Sequence, residues 1–220
     1  MRVLVVEDEP QLALRLEQAL EGAGFAVDVA YDGEEAWFLG DTEPYDAVVL
    51  DLGLPRVDGI SVLKRWREGR RAMPVLVLTA RSRWSEKSQA FEAGADDYVT
   101  KPFEMDEVVT RVRALIRRAA GHASPEITCG PLRVDTAQAR VWVDGQPVAL
   151  TAQEFRILSY LAHHQQRVVG RTELVEHVYD RDDERDSNVL DVLIGRIRKK
   201  LKADVLHTLR GQGWRLEAPR

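Results

Sequence analysis

Across the first half of this chain, short apolar runs alternate with amphipathic stretches, and four of the runs stop on a polar group. Val3-Leu4-Val5-Val6 leads into Glu7-Asp8, and Ala47-Val48-Val49-Leu50 into Asp51. Val75-Leu76-Val77-Leu78 leads into Thr79, and Tyr98-Val99-Thr100 into Lys101-Pro102. Alternation at this spacing predicts βα units around a parallel sheet. The predicted strands are 2–6, 26–30, 46–51, 74–79 and 97–100, and the predicted helices are 10–22, 33–40, 58–69, 84–93 and 104–118. The unbroken apolar character of 47–50 and 75–78 fits central strands covered on both faces.

In such a sheet the carboxyl ends of the strands share one edge, where ligands bind. Two acids, a central Asp, a hydroxyl and an ammonium would converge there. A strand-end Asp taken alone is most simply a cap or turn residue. With four companions at matching strand ends, phosphoryl chemistry is the better reading. Asp51 is the candidate nucleophile, forming an acyl phosphate. Asp8, Asp51 and a backbone carbonyl at Gly53 would hold Mg2+, with Glu7 acting through water. Lys101 would neutralise one phosphoryl oxygen and Thr79 would hydrogen-bond another. Arg81 could reach this site or solvent.

The second half changes character at 120–125, where Gly, Ser and Pro mark a linker between domains 1–119 and 126–220. Residues 126–150 alternate in strand fashion, with Asp144-Gly145 as a hairpin turn. Thr151-Ala-Gln-Glu154 is a capping box opening a helix. Further helices are expected at about 171–178 and 187–202, and a glycine-turned hairpin at 207–216. The charge is uneven: residues 1–121 carry a net −6, residues 122–220 a net +1, and 187–220 a net +5. The locally basic end points to nucleic acid as one partner. Ser187–Leu201 reads as an amphipathic helix with Val189, Val192, Leu193, Ile197 and Leu201 toward a core. Its polar side includes Asn188, Arg196, Arg198, Lys199 and Lys200, suited to a major groove. Arg210, beside Gly211 and Gly213, suits a wing on the DNA backbone or minor groove. Cys129 is the only cysteine, which excludes an internal disulfide and fits a reducing compartment. No run approaches a membrane span and no signal peptide is evident, so a cytoplasmic location is expected.

The motifs Val6-Glu7-Asp8-Glu9-Pro10, Leu50-Asp51-Leu-Gly-Leu-Pro-Arg-Val-Asp-Gly59, Leu78-Thr79-Ala80 and Gly94-Ala-Asp-Asp-Tyr-Val-Thr-Lys101-Pro102-Phe103 resemble the receiver domains of two-component response regulators. The resemblance implies a doubly wound five-stranded α/β receiver of flavodoxin type. In it, Asp51 takes a phosphoryl group from a sensor histidine kinase, Lys101-Pro102 is cis, and Tyr98 is the aromatic switch beside Thr79. Leu150-Thr-Ala-Gln-Glu-Phe-Arg-Ile-Leu158, Leu190-Asp-Val-Leu-Ile-Gly-Arg-Ile-Arg-Lys-Lys-Leu201 and Leu209-Arg-Gly-Gln-Gly-Trp214 are similar to the α+β winged helix-turn-helix effectors of the OmpR/PhoB family. The Leu-Ile-Gly-Arg-Ile-Arg-Lys-Lys string looks like its PhoP-type subgroup. Most relatives carry His where this chain has Leu193 and a polar residue where it has Gly195, which removes a possible base contact.

That family implies a transcription regulator that binds double-stranded DNA and forms a homodimer on phosphorylation. The dimer would use Phe91 and Val109 with the pairs Lys87–Glu107, Asp97–Arg111 and Asp96–Arg113 between subunits. It also implies contact with RNA polymerase through the loop Asp180–Asp186. Such a protein is not an enzyme toward outside substrates. A magnesium-dependent aspartyl-phosphate phosphohydrolase would instead carry a second Asp two residues after the nucleophile, where Gly53 stands. A third reading is a DNA-binding protein with a degenerate receiver, against which Asp51, Thr79 and Lys101 argue.

Overall fold

The computed structural model describes residues 1–80, 84–179 and 187–219, with side chains omitted at 84–87 and 187–188. It divides into two compact units, Arg2–Ala119 and Ala120–Arg220.

The first unit alternates strand and helix. Its strands are β1 (Arg2–Val6), β2 (Ala26–Ala30), β3 (Ala47–Asp51), β4 (Val75–Thr79) and β5 (Asp97–Thr100). Its helices are α1 (Pro10–Gly22), α2 (Gly33–Thr42), α3 (Gly59–Glu68), α4 (Trp84–Glu92) and α5 (Met105–Ala119). The sheet order is β2-β1-β3-β4-β5, and every pairing is parallel. The order reverses at β1, which makes the doubly wound topology. Each predicted strand forms within a residue of its expected bounds. The predicted helix 33–40 runs on to Thr42, because no breaker stops it before Glu43.

Local chemistry fixes the helix starts. The Asp32 side chain accepts from Glu34 N and Glu35 N, both at 2.9 Å, and Asp58 accepts from Ser61 N at 3.1 Å. Both satisfy orphan amides of a first turn. One core lies between the sheet and α2–α3, where Leu4, Val6, Leu50, Leu63, Val77 and Trp66 are buried. Trp66 crosses α2 so closely that a Cβ on Gly40 would stand 2.5 Å from its indole. Only glycine fits there.

The second unit opens with an antiparallel sheet of β6 (Glu126–Cys129), β7 (Leu132–Asp135), β8 (Arg140–Val143) and β9 (Gln146–Pro147). Asp144 (φ 49) and Gly145 (φ 76) make the predicted tight turn. The helices α6 (Ala152–His163), α7 (Arg171–Val178) and α8 (Ser187–Leu201) follow, then the hairpin of β10 (Leu206–Leu209) and β11 (Gly213–Leu216). The Thr151–Glu154 capping box forms, with bonds of 3.3 and 2.7 Å. Val169 pairs with Trp214 through two backbone bonds. A Cβ on Gly213 would lie 2.0 Å from the Val169 oxygen, so the hairpin needs glycine to pair with the segment at Val169.

His163 is buried in α6, with Nδ1 2.8 Å from the Ser159 carbonyl oxygen. Burial pushes its pKa down to about 4. The folded pKa lies below the unfolded one, so the unfolded state binds more protons between them. Stability is therefore full above the unfolded pKa of about 6.5 and falls as pH drops toward 4. Urea melts of this unit's signal in the full chain should show roughly 2 kcal/mol less stability at pH 5 than at pH 7 from this group. His163→Leu should remove that part of the slope; an unchanged slope would assign it to other groups.

Candidate functional site

The register places the four strand ends together. Val6 pairs with Leu50, Asp51 with Leu78, and Thr79 with Thr100, so the next residue of β1 and of β5 reaches the same rim. Glu7 (1% exposed), Asp51 (7%) and Thr79 (4%) are buried there, and Asp8 is exposed. Lys101 Nζ donates to Glu7 Oε2 at 2.7 Å and to Asp51 Oδ2 at 2.9 Å. Burial raises the Glu7 pKa, and Lys101 opposes it. For Lys101, burial works against the charge, but the bonds to Glu7 and Asp51 outweigh it and raise its pKa.

Glu7, Asp8 and Asp51 bring carboxylate oxygens within 4.8 Å of one another. A hard divalent cation suits this all-oxygen set. A cavity of about 440 Å³ opens beside Asp51, Gly53, Thr79 and Lys101. A Cβ at Gly53 would stand 3.7 Å from Asp51 Oδ2, while one at Gly59 would strike the Asp51 carbonyl at 2.3 Å. Gly59 is therefore required for the loop to fold back over β3, and Gly53 is not. The Lys101-Pro102 bond is cis. Tyr98 is half-buried and meets the Phe91 ring edge-on at 5.7 Å. Arg81 lies outside the described residues.

The charged face of α4, β5 and α5 is organised within one chain. Arg111 bonds Asp97 at 2.9 Å and Glu107 at 2.7 Å. Phe91 is 44% exposed, whereas Val109 is buried in the unit itself. Within the chain, the Arg113 guanidinium donates to the Ala23 carbonyl at 3.1 Å. Two residues on a helix are about 200° apart, so Arg113 points away from Arg111. Arg118 is seven residues on, which returns it to the Arg111 stripe. It lines a hollow of about 400 Å³ together with Asp96. The Lys87 side chain lies outside the described residues.

On α8, Leu190, Leu193, Ile194, Ile197 and Leu201 are buried. Val189 (45% exposed) and Val192 (52%) are not, which corrects their assignment to the core. They continue the solvent stripe of Arg196 and Lys199, both exposed. A Cβ on Gly195 would meet nothing within 4 Å, so packing does not demand glycine there. Arg198 instead ties the helix to the hairpin, donating to Leu206 O at 3.0 Å and Thr208 Oγ1 at 2.8 Å. Lys200 Nζ bonds buried Glu154 at 2.6 Å. Arg210 is exposed at the hairpin tip. The Asn188 side chain and the loop Asp180–Asp186 lie outside the described residues.

Residues 3–113 match the response regulator receiver domain family, and residues 145–216 match the family of transcriptional regulatory protein C-terminal domains. The chain is 44% identical to the two-component response regulator PhoP of Pseudomonas aeruginosa, over 97% of each chain. It is 42% identical to the transcriptional regulatory protein PhoP of Escherichia coli K12, over 99% of each. The receiver domain of the Francisella response regulator 1452 superposes with a TM-score of 0.52 at 40% identity, covering 54% of this chain and 98% of that one. Fold, strand-end site and comparisons together define a DNA-binding response regulator of a two-component system. The chain belongs to the OmpR/PhoB family and, within it, to the PhoP-like branch. Its relatives are transcription regulators and not enzymes. The receiver implies a histidine kinase partner and the C-terminal domain implies DNA. No helix among the described residues is long and apolar enough to cross a membrane.

Proposed function

We propose that Asp51 accepts a phosphoryl group from a sensor histidine kinase and that this state drives receiver dimerisation and DNA binding. The observation that carries the reading is Lys101, whose ammonium bridges Glu7 and Asp51 at the rim of a cavity that also holds Thr79. Lys101 is placed to take one phosphoryl oxygen and Thr79 another. Glu7, Asp8 and Asp51, with the Gly53 carbonyl, would hold Mg2+, which would neutralise charge on the incoming phosphate. Tyr98, packed on Phe91, is the candidate link from Thr79 to the α4–β5–α5 face.

In this reading the receiver spans 1–119, the linker 120–125 and the effector 126–220. Dimerisation is isologous. It uses Lys87, Phe91, Asp97, Glu107 and Arg111, and pairs Asp96 with Arg118 of the second copy in preference to Arg113. Work in the cytoplasm and contact with RNA polymerase through Asp180–Asp186 belong to the same reading.

The exposed stripe of α8 is the DNA-reading face. Arg196 and Asn188 would reach base edges, and Lys199 and the wing's Arg210 would hold phosphates. Val189 and Val192 are placed for thymine methyls, and Arg198 and Lys200 serve mainly to position α8. Selection from random DNA, with and without beryllofluoride, should yield tandem half-sites about one helical turn apart, enriched more with the mimic. Affinity should fall with log K changing by about −0.9 per neutralised phosphate as log salt rises. A flat salt profile, or equal selection without the mimic, counts against the reading.

A further inference from the structure

We propose that Arg67 is a positioning residue for self-association: it fixes the Asp96 carboxylate so that one oxygen is presented to an arginine of a second copy of the chain. The inference rests on the dimer reading above.

Arg67 lies in the last turn of α3. Its guanidinium has five N–H groups, and all five are used. Nε and Nη2 donate to the Gly94 carbonyl at 3.1 and 2.8 Å. Nη1 donates to Arg71 O at 2.8 Å and Met73 O at 3.1 Å. The remaining Nη2 hydrogen goes to Asp96 Oδ2 at 3.1 Å. One side chain thus brackets the α3–β4 loop, the α4–β5 turn and Asp96, the residue just before β5. The fit has shaped the turn: Gly94 has φ +103, and a Cβ there would lie 2.8 Å from Arg67 Cγ.

Asp96 Oδ2 also accepts from Val75 N at 2.8 Å. Two donors therefore hold one oxygen, while Oδ1 has no hydrogen-bond partner among the described residues. The side chain is 43% exposed and lines the hollow that Arg118 shares. A carboxylate that pairs across an interface gives up rotamer freedom, and one already fixed gives up less. Arg67 also weakens the carboxylate's net charge. At a half-exposed site solvent and salt screen that effect, so orientation outweighs it. Lysine cannot substitute, because three donors on a point charge do not span four separate acceptors with five bonds.

Sedimentation of the full chain with beryllofluoride and Mg2+ tests this. Wild type should dimerise. Arg67→Lys should weaken the dimer roughly tenfold, as expected for a displaced charge contact, while acetyl phosphate labelling stays at the wild-type level. Asp96→Asn should weaken it too. In that background Arg67→Lys should add less than about twofold, because both act through one carboxylate. An Arg67→Lys dimer as tight as wild type overturns the proposal. So does an equal loss with and without Asp96, which would make Arg67 a support of the fold alone. A wild type that stays monomeric with the mimic removes the dimer reading itself, and the proposal with it.

Discussion

Asp51→Asn should leave the protein folded and reduce phosphate incorporation from acetyl phosphate at least about a hundredfold, roughly 2.7 kcal/mol in the barrier. The reason is chemical. An amide of the same shape fills the same buried position but cannot attack phosphorus as a carboxylate does. The other acids of the pocket are poor substitutes. Asp58 lines the cavity, but it caps α3, bonding Ser61 N at 3.1 Å and Ser61 Oγ at 2.6 Å. Asp8 is exposed and stands off the Lys101 ammonium that bridges Glu7 and Asp51. Chelating divalent metal should cost wild type a comparable factor, because three clustered acids would then repel the incoming anion. Labelling of Asp51→Asn at the wild-type rate would move the acceptor elsewhere and end the reading.

The acid site was legible because it obeys a periodicity. Strand-end polar groups need only the parallel-sheet rule to be brought together, and Glu7, Asp51, Thr79 and Lys101 converge as that rule requires. Helix faces were harder. Helix α8 carries apolar residues on more than one side, so pattern alone placed Val189 and Val192 inward with Leu193, Ile197 and Leu201; the structure buries the last three, and Leu190 and Ile194 rather than the two valines. The basic residues there looked equivalent, yet Arg198 and Lys200 are spent on Thr208 and Glu154. Arg67 was invisible for a different reason. Four of its five bonds go to backbone carbonyls, and a sequence does not advertise those.

The most consequential residue that the sequence hid is a charge at position 2. Arg2 is fully buried in β1 (0% exposed). It bonds Asp28 on β2 through Nε at 2.9 Å and Glu43 at 3.0 Å, and stacks over Tyr45 at 5.1 Å. Tyr45 Oη donates to the same Asp28 oxygen at 2.7 Å. Burial disfavours the Arg2 charge, but Asp28 and its neighbours outweigh it and raise the Arg2 pKa. Burial, then Asp28, raises that of Tyr45. Asp28→Ala would remove the acceptor that the buried guanidinium and the phenol share, leaving Arg2 only Glu43. Removing one partner of a buried pair costs about 3–5 kcal/mol, a large share of a domain's usual 5–15 or so. Urea unfolding at pH 7 should show that loss in the receiver's transition. Replacing the set together, with Arg2→Met, Asp28→Leu and Tyr45→Phe, should recover most of it, since apolar substitutes of similar volume avoid the desolvation cost. A loss under about 1 kcal/mol in Asp28→Ala would mean that water reaches the cluster, as at an exposed pair. Arg2 opens β1 and Glu7 follows its last residue, five positions on and about 16 Å away at strand rise. The folded fraction of either variant should therefore label at Asp51 as wild type does, separating what holds the receiver together from what it does.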